Sequence, residues 1–293
     1  MVNTADHRAK PPWGADAPQN PRRRRFLRRA LFGGAALAVG AAGAKVVEHL
    51  ERRELDVALP GLPPAFSGLR IGLVSDMHRS PVISEERCRL AAALLEDASC
   101  DPIVNLGDNV SWSAKYASSA LSGLRRLNPP EGKFAVLGNH EYWTDAKRGQ
   151  QALENAGFRV LTNSHAALQR GAEELHLVGI DDLWSGRPDY EAAFREVPED
   201  ACTVVLSHNP DAIYDRRVRR AGLVLAGHTH GGQIVGVSRV TQPLAHCRYG
   251  AAHPHGLYRE GRAQIYVTSG AGNGGIFCIR LGVPPEVAVV TLG

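Results

Sequence analysis

Five short apolar runs in this chain each lead into polar residues of the kind that bind metal ions. The runs are Leu69–Val74, Pro102–Leu106, Lys133–Leu137, Cys202–Leu206 and Gly222–Ala226. Apolar runs of this length, bounded by Gly, Ser and Asn, are typical of short buried strands. Because strand ends gather along one edge of an open α/β sheet, the side chains that follow the runs can meet in one cleft.

The residues that follow these runs are aspartate, asparagine and histidine. In chain order they are Asp76 and His78, Asp108, Asn139 and His140, His208, and finally His228 and His230. Taken alone, each has a plain structural explanation as a turn residue, a cap or a satisfied polar group. Their occurrence at five strand ends favours a shared metal site. A mixture of imidazole, carboxylate and amide oxygen suits Mn, Fe or Zn better than Ca or Mg.

The order of predicted elements indicates an α/β fold in which helices flank two packed sheets. A helix is predicted from Ser84, its N-cap, through Ala98. Further helices are predicted at Ala114–Leu127, Thr144–Ala156 and Tyr190–Arg195 and from Pro210 onward. The last third is β-rich, with strands predicted at Gln233–Val235, Gly256–Tyr258, Gln264–Thr268 and Val287–Thr291.

The polar strand ends form five motifs whose order resembles that of the calcineurin-like metallophosphoesterase family. The motifs are Asp76-x-His78, Gly107-Asp108, Gly138-Asn139-His140-Glu141, His208 and Gly227-His228-x-His230. The match runs from residue 69 to about residue 232, and the β-rich end through Gly293 is similar too. The resemblance implies a four-layer α/β/β/α sandwich of two mixed sheets flanked by helices.

The resemblance also implies a dinuclear centre of two divalent metal ions. One ion would be held by Asp76, His78, Asp108 and His230, and the other by Asp108, Asn139, His208 and His228, so that Asp108 bridges both. In the implied mechanism, a hydroxide that bridges the metals attacks the phosphorus. His140 is the implied catalytic residue, which protonates the leaving oxygen or stabilises the transition state.

The function expected from this resemblance is metal-dependent hydrolysis of a phosphodiester, pyrophosphate or phosphomonoester bond. An envelope lipid or a UDP-sugar lipid is one expected substrate class, and a cyclic or extracellular nucleotide is another. A non-catalytic, metal-stabilised binding module of the cell envelope stays open as the alternative. The presence of His140, an acid that a pure scaffold does not need, favours the enzyme.

Aromatic residues and glycines near the motifs suggest how the cleft is bordered. Trp112, Tyr142, Trp143 and Trp184 either line its mouth or pack as ordinary loop residues, and the sequence does not decide between these interpretations. Gly270–Gly275 is predicted to be a loop that closes over the active edge.

The N-terminal residues resemble an export leader. Arg22–Arg29 is strongly basic, contains a pattern similar to the twin-arginine signal, and precedes the uncharged stretch Ala30–Ala44. That stretch is short for a spanning helix, which needs about 20 residues. The sequence therefore predicts an export signal or N-terminal anchor at 1–44, a spacer and entry segment at 45–66, and the metallophosphoesterase domain at 67–293.

This leader predicts the cellular partners as well. The expected partner is the twin-arginine export machinery, and the expected location is the periplasm, the cell envelope or the outer side of a membrane. Of the 34 Lys and Arg residues, 11 lie in residues 1–53, against only 4 of the 30 acids. Because the positive charge belongs to this segment and not to the folded body, no nucleic-acid partner is expected.

Overall fold

The computed structural model describes residues 49–274 and 280–293, so the predicted leader lies outside the described residues. Within them, the strands form two six-stranded sheets. The strands are β1 (Glu51–Val57), β2 (Arg70–Val74), β3 (Ile103–Asn105), β4 (Lys133–Ala135), β5 (Phe158–Val160), β6 (Ser164–Arg170), β7 (Glu173–Ile180), β8 (Thr203–Ser207), β9 (Leu223–Ala226), β10 (Gly256–Glu260), β11 (Ala263–Val267) and β12 (Glu286–Leu292).

The helices are short, apart from two of ten residues or more. They are α1 (Glu85–Asp97), α2 (Ala117–Ala120), α3 (Asn139–Thr144), α4 (Ala146–Asn155), α5 (Tyr190–Ala193) and α6 (Ser238–Leu244). Single 3-10 turns lie at Pro64–Phe66, Ala114–Tyr116, Leu124–Arg126, Pro210–Tyr214, Val218–Arg220, His230–Gly232 and Tyr249–Ala251. In the described part of the chain, every helix is too short or too polar to cross a bilayer.

Both sheets have parallel strands at their centres. The first has the order β1-β12-β2-β3-β4-β5, in which β2 through β5 are parallel and β12 is antiparallel to β2. The second has the order β10-β11-β9-β8-β7-β6, in which β7, β8, β9 and β11 are parallel. The carboxyl ends of β2, β3 and β4 therefore share one edge, and those of β8 and β9 share another.

Alternating side chains of the central strands build three apolar layers. Leu73 and Leu206 lie in the central cluster, which contains residues of both sheets. The next residue on β2, Val74, packs outward with Leu95 and Leu153 of α1 and α4. On β8, Val205 faces the opposite outer layer. This period of two, with both faces apolar, explains the continuous apolar runs and confirms the four-layer α/β/β/α sandwich.

Several local predictions are confirmed. The Ser84 hydroxyl accepts a hydrogen bond from Arg87 N and caps α1, as expected. The strands β10, β11 and β12 overlap the three strands predicted after residue 255. In the predicted glycine-rich loop, a Cβ on Gly270 would lie 2.7 Å from Asp76 Cβ, so the described part of that loop packs against the strand ends.

The helix predicted at Thr144–Ala156 is also confirmed, as α4; it begins at Ala146, because Asp145 has an extended backbone and caps α4 through Arg148 N. Two other local predictions are wrong. The strand predicted at Gln233–Val235 is a turn with one isolated bridge, because Gln233 has a φ of 57°. The predicted helix at Ala114–Leu127 is two 3-10 turns on either side of α2.

One strand lies inside the segment predicted as a spacer. β1 pairs along its whole length with β12 at the edge of the first sheet. Its sequence, Glu-Arg-Arg-Glu-Leu-Asp-Val, is charged because most of its side chains are exposed. The apolar alternation of β1 is limited to Leu55 and Val57, of which only Val57 is fully buried, which is why the sequence pattern did not indicate a strand.

Candidate metal centre

The strand ends of the two sheets bring all the predicted site residues to one place. Asp76 and His78 follow β2, Asp108 follows β3, Asn139 and His140 begin α3 after β4, His208 follows β8, and His228 and His230 follow β9. The side chains of His78, Asp108 and His208 illustrate the convergence: Asp108 Oδ2 lies 3.6 Å from His78 Nε2 and 3.3 Å from His208 Nε2.

Three sets of residues each bring their candidate ligand atoms within 4.8 Å of one another. Asp76, His78 and His230 form the first ligand group, and Asp108, His208 and His228 form the second ligand group. A third set, His78, Asp108 and His140, joins them. Asn139 Oδ1 lies 3.2 Å from His208 Nε2, beside the second group. Distance alone does not separate His140 from the ligands, so its implied role outside the ligand set rests on the resemblance.

The backbone at these residues has an unusual conformation. Positive φ angles occur at Asp76 (53°), His78 (50°), Asp108 (53°), His228 (71°) and His230 (51°). The left-handed region is unfavourable for residues with a Cβ, and such strain concentrates at functional sites. The fold therefore holds these five side chains in orientations that local preference alone would not select.

Close backbone approach requires glycine beside them. A Cβ on Gly107, which precedes Asp108, would lie 2.3 Å from Gly138 N. A Cβ on Gly274 would lie 2.2 Å from His230 Nε2. Glycine at these two positions lets the motif loops and the glycine-rich loop come into contact with the ligands.

Hydrogen bonds fix which nitrogen of each imidazole faces the centre. His208 Nδ1 donates to Leu106 O at 2.7 Å, so its Nε2 points at Asp108. His228 Nε2 donates to Ala245 O at 2.8 Å and leaves Nδ1 facing His208. Such backbone acceptors behind metal-binding histidines set the tautomer and the ring orientation.

His78 is oriented by a serine in the same way. The Ser111 hydroxyl donates to His78 O at 3.2 Å and lies 3.1 Å from His78 Nδ1. Because that hydroxyl proton is used on the carbonyl, the hydroxyl oxygen accepts from Nδ1–H. The lone pair of a neutral His78 ring is therefore on Nε2, toward the centre.

The electrostatics of the centre divide the histidines into two kinds. Burial lowers the pKa of His78, His228 and His230, that of His228 to about 3, so these rings are neutral and can donate a lone pair. Burial alone would lower the pKa of His208, but the Asp108 carboxylate holds it well above its ordinary value. Conversely, burial would raise the pKa of Asp108, and the nearby imidazoles, His208 foremost, hold it well below its ordinary value.

The first ligand group carries a polar atom that the protein does not satisfy. Asp76 Oδ1 is buried without a hydrogen-bond partner, while its Oδ2 accepts from Ser75 Oγ and His228 N. His230 Nε2 lies 3.4 Å from this orphaned oxygen and 3.0 Å from His78 Nε2. An unpaired carboxylate oxygen facing two imidazole nitrogens fits a divalent cation among them.

Arg280 limits how His230 can bind such a cation. Its Nη2 lies 3.3 Å from His230 Nδ1, and the same guanidinium donates to Ser269 O and to Gly272 O. A guanidinium only donates, so a hydrogen bond to Nδ1 puts the proton of a neutral His230 ring on Nε2. Nε2 can hold a cation only after that proton has moved to Nδ1, which requires the 3.3 Å contact with Arg280 to open.

Glu141 is a buried carboxylate whose position the sequence motif contained but did not explain. It accepts hydrogen bonds from the backbone N–H groups of Gly138, Asp108 and Asn109, at 2.8 to 3.0 Å. It thereby ties the loop after β3 to the loop after β4. Its place two residues after Asn139 is the signal that could have suggested this role.

Two tryptophans pack against the histidines of the centre. The ring of Trp143 lies 4.6 Å from that of His140, and Trp184 contacts Trp143, His228 and His246. Both tryptophans therefore lie beside the centre, as one of the two interpretations of the sequence expects. His246, which matches no motif, stacks on Trp184 at 4.7 Å and was not predicted to lie there.

Comparisons with known proteins agree with this geometry. The family model for calcineurin-like phosphoesterases matches residues 69–232. A Bacillus subtilis protein named as the uncharacterized metallophosphoesterase YkuE is 31% identical over 280 residues, which is 92% of this chain and 97% of that protein. Phosphodiesterase YaeI of Escherichia coli is 32% identical over 231 residues, or 76% of this chain and 82% of that protein.

A third relative is larger than this chain. A zebrafish protein, named as a transmembrane protein with a metallophosphoesterase domain, is 30% identical over 255 residues; the match covers 82% of this chain and 56% of the zebrafish protein. The first relative matches over nearly its full length, and the family model spans every motif of the centre. The chain therefore belongs to the calcineurin-like phosphoesterase family.

Proposed function

We propose that this chain is a metal-dependent phosphoesterase with two divalent metal ions at the strand-end centre. The observation that carries the proposal is the convergence of two ligand groups on Asp108, one of which contains the orphaned Asp76 Oδ1. A binding module stabilised by metal would need the ligands, but it would not need a further histidine beside them. The proposal is supported by the named activity of the Escherichia coli relative, a phosphodiesterase.

In this proposal Asp76, His78, Asp108 and His230 hold one cation, and Asp108, Asn139, His208 and His228 hold the other. The donor set of imidazole, carboxylate and amide oxygen favours Mn, Fe or Zn. When bound, two such ions polarise phosphoryl oxygens and lower the pKa of water. The residues of the chain supply the orientation, because hydrogen bonds that the rings donate to Leu106 O, Ala245 O and Ser111 Oγ fix the rings in advance.

His140 is the catalytic residue in this proposal. Its Nδ1 donates to Ser111 O at 2.7 Å, which directs Nε2 toward Asp108, 3.9 Å from Oδ2. A protonated His140 then donates the Nε2 proton to the leaving oxygen of the substrate. Its backbone N–H meanwhile holds Asp108 Oδ1 at 2.8 Å.

The substrate class in this proposal is an envelope lipid or a UDP-sugar lipid. Trp143 and Trp184 give the centre an apolar wall suited to a sugar-like or apolar leaving group. The chain reaches the envelope through the twin-arginine pathway, by the leader at residues 1–44, and stays there either released or anchored. The name of the zebrafish relative, a transmembrane protein, supports a membrane setting.

Turnover of bis-p-nitrophenyl phosphate by the purified full-length chain tests the proposed activity. We expect hydrolysis with Mn, Fe(II) or Zn, loss of activity with EDTA, and recovery when the metal is restored. A preparation of Asp108→Asn made in the same way controls for contaminating phosphatases. No turnover with any of these metals, on mono- and diesters alike, would overturn the enzyme and favour the envelope-binding module.

A further inference from the structure

The most exposed large apolar side chains of the described residues are concentrated in two neighbouring segments. Val235, Val240, Leu244 and Leu281, named here the apolar rim, have exposed fractions of 59% to 76%. The other exposed large apolar or aromatic side chains in the described part of the chain range only from 38% to 42%. None of the four belongs to the three apolar clusters of the fold.

Backbone hydrogen bonds join the two segments that carry the rim. Val235 N donates to Leu281 O at 3.1 Å, and Leu281 N donates to Gln233 O at 2.9 Å. A turn in which Val240 N donates to Val237 O leads from Val235 into α6. On that helix Val240 and Leu244 are four residues apart, so they lie on the same face.

The rim is attached to the candidate metal centre at both ends. Ala245, which follows Leu244, accepts the hydrogen bond from His228 Nε2 that orients this ring. Arg280, which precedes Leu281, contacts His230 Nδ1. The exposed apolar surface is therefore directly connected to a histidine of each ligand group.

The charged residues near the rim indicate which kind of partner binds to it. Residues 231–259 contain no Asp or Glu, and the exposed Arg239 is next to Val240 on α6. Apolar side chains beside a cation match the interface of a bilayer that contains anionic lipid. A second copy of the chain matches less well, because a two-fold contact through this surface would bring Arg239 close to its own counterpart.

We infer that the apolar rim inserts into the interfacial layer of an anionic membrane. Val240 and Leu244 enter the boundary between headgroups and acyl chains, while Arg239 stays at the level of the lipid phosphates. The metal centre is thereby brought close to the lipid surface. This inference goes beyond the proposed hydrolysis, because membrane binding needs neither bound metal nor turnover.

Sedimentation with vesicles is the first test. The full-length chain is mixed with vesicles of phosphatidylcholine that contain or lack phosphatidylglycerol, and the bound fraction is measured. The variant Val240→Asp with Leu244→Asp is expected to bind the anionic vesicles about tenfold more weakly. The matched control, Leu90→Asp with Leu257→Asp, changes two exposed leucines outside the rim and is expected to bind like the wild type.

A second measurement separates the rim from any membrane binding by the N-terminal segment. Tryptophan is introduced by Leu244→Trp and, as the control, by Leu90→Trp, and brominated acyl chains are used as quencher. We expect added quenching only for the variant at position 244. Equal quenching at both positions, or unchanged vesicle binding of the double Asp variant, would overturn the inference. Conversion from dimer to monomer by that variant, without an effect on vesicles, would assign the rim to self-association.

Discussion

The two ligand groups that meet at Asp108 are built from the same residue types, but the protein satisfies them differently. In the second group, Asp108 and His208 form an ion pair at 3.3 Å, and backbone groups orient both. In the first group, Asp76 Oδ1 has no partner and faces two imidazole nitrogens. The second group is therefore held in place by the fold alone, whereas the first depends on a cation to satisfy it.

Substitution of Asp76 and of Asp108 is the strongest test of this difference between the two ligand groups. Asp108→Asn should lower turnover by on the order of a thousandfold or more and reduce metal content at both groups, because Asp108 contacts both. Asp76→Asn should remove metal from the first group only. Metal analysis of the purified variants, combined with their turnover, measures both effects. Equal loss of metal in the two variants would contradict the distinction between the groups.

His140→Ala sharpens the comparison by separating chemistry from metal binding. Turnover should fall by about a hundredfold to ten-thousandfold, the usual contribution of a general acid, while the metal content stays at the wild-type value. His49→Ala, a change of an exposed histidine away from the centre, is the matched control. Loss of metal together with activity would place His140 in the ligand set instead.

The smallest effect concerns the acid sensitivity of the metal-free protein. The folded chain holds the pKa of His228 at about 3, below its ordinary value of 6.5, so the unfolded chain takes up this proton first. The stability that this ring contributes is present above pH 6.5 and is lost as the pH falls from there toward 3. His228→Gln should reduce the pH dependence of the free energy of unfolding by up to about 1.4 kcal/mol per pH unit in that window.

Denaturant unfolding in EDTA at several pH values measures this difference. His49→Gln, at an exposed position, should retain the slope of the wild type. If the free energy of unfolding of His228→Gln depends on pH as that of the wild type does, burial does not keep the His228 ring neutral. The contrast between the lowered pKa of His228 and the raised pKa of His208 would then be wrong.

The central parallel strands and the site residues were predictable from the sequence because each signal is local and repeated. A buried strand must be apolar on both faces, and the polar residue after it stands out, as Asp76 does after β2. The family resemblance supplied the arrangement of the two sheets in which these strand ends come together. The architecture and the convergence of the site follow from these two sources.

The parts that the sequence did not reveal depend on contacts between distant segments. β1 is identified as a strand only by its pairing with β12, and the buried role of Glu141 depends on two loops meeting. The error at Gln233–Val235 has a similar cause, because Val235 faces solvent in the rim and is not in a sheet. Patterns of hydrophobicity do not distinguish a buried strand from an exposed docking surface when both are short.

The left-handed backbone at five candidate ligands implies a trade-off between the stability of the metal-free protein and its catalytic activity. Glycine or asparagine at His78 or His228 would relax the main chain and stabilise the metal-free fold, at the cost of a metal ligand. Laboratory evolution toward heat resistance, with no selection for turnover, would therefore erode the centre first.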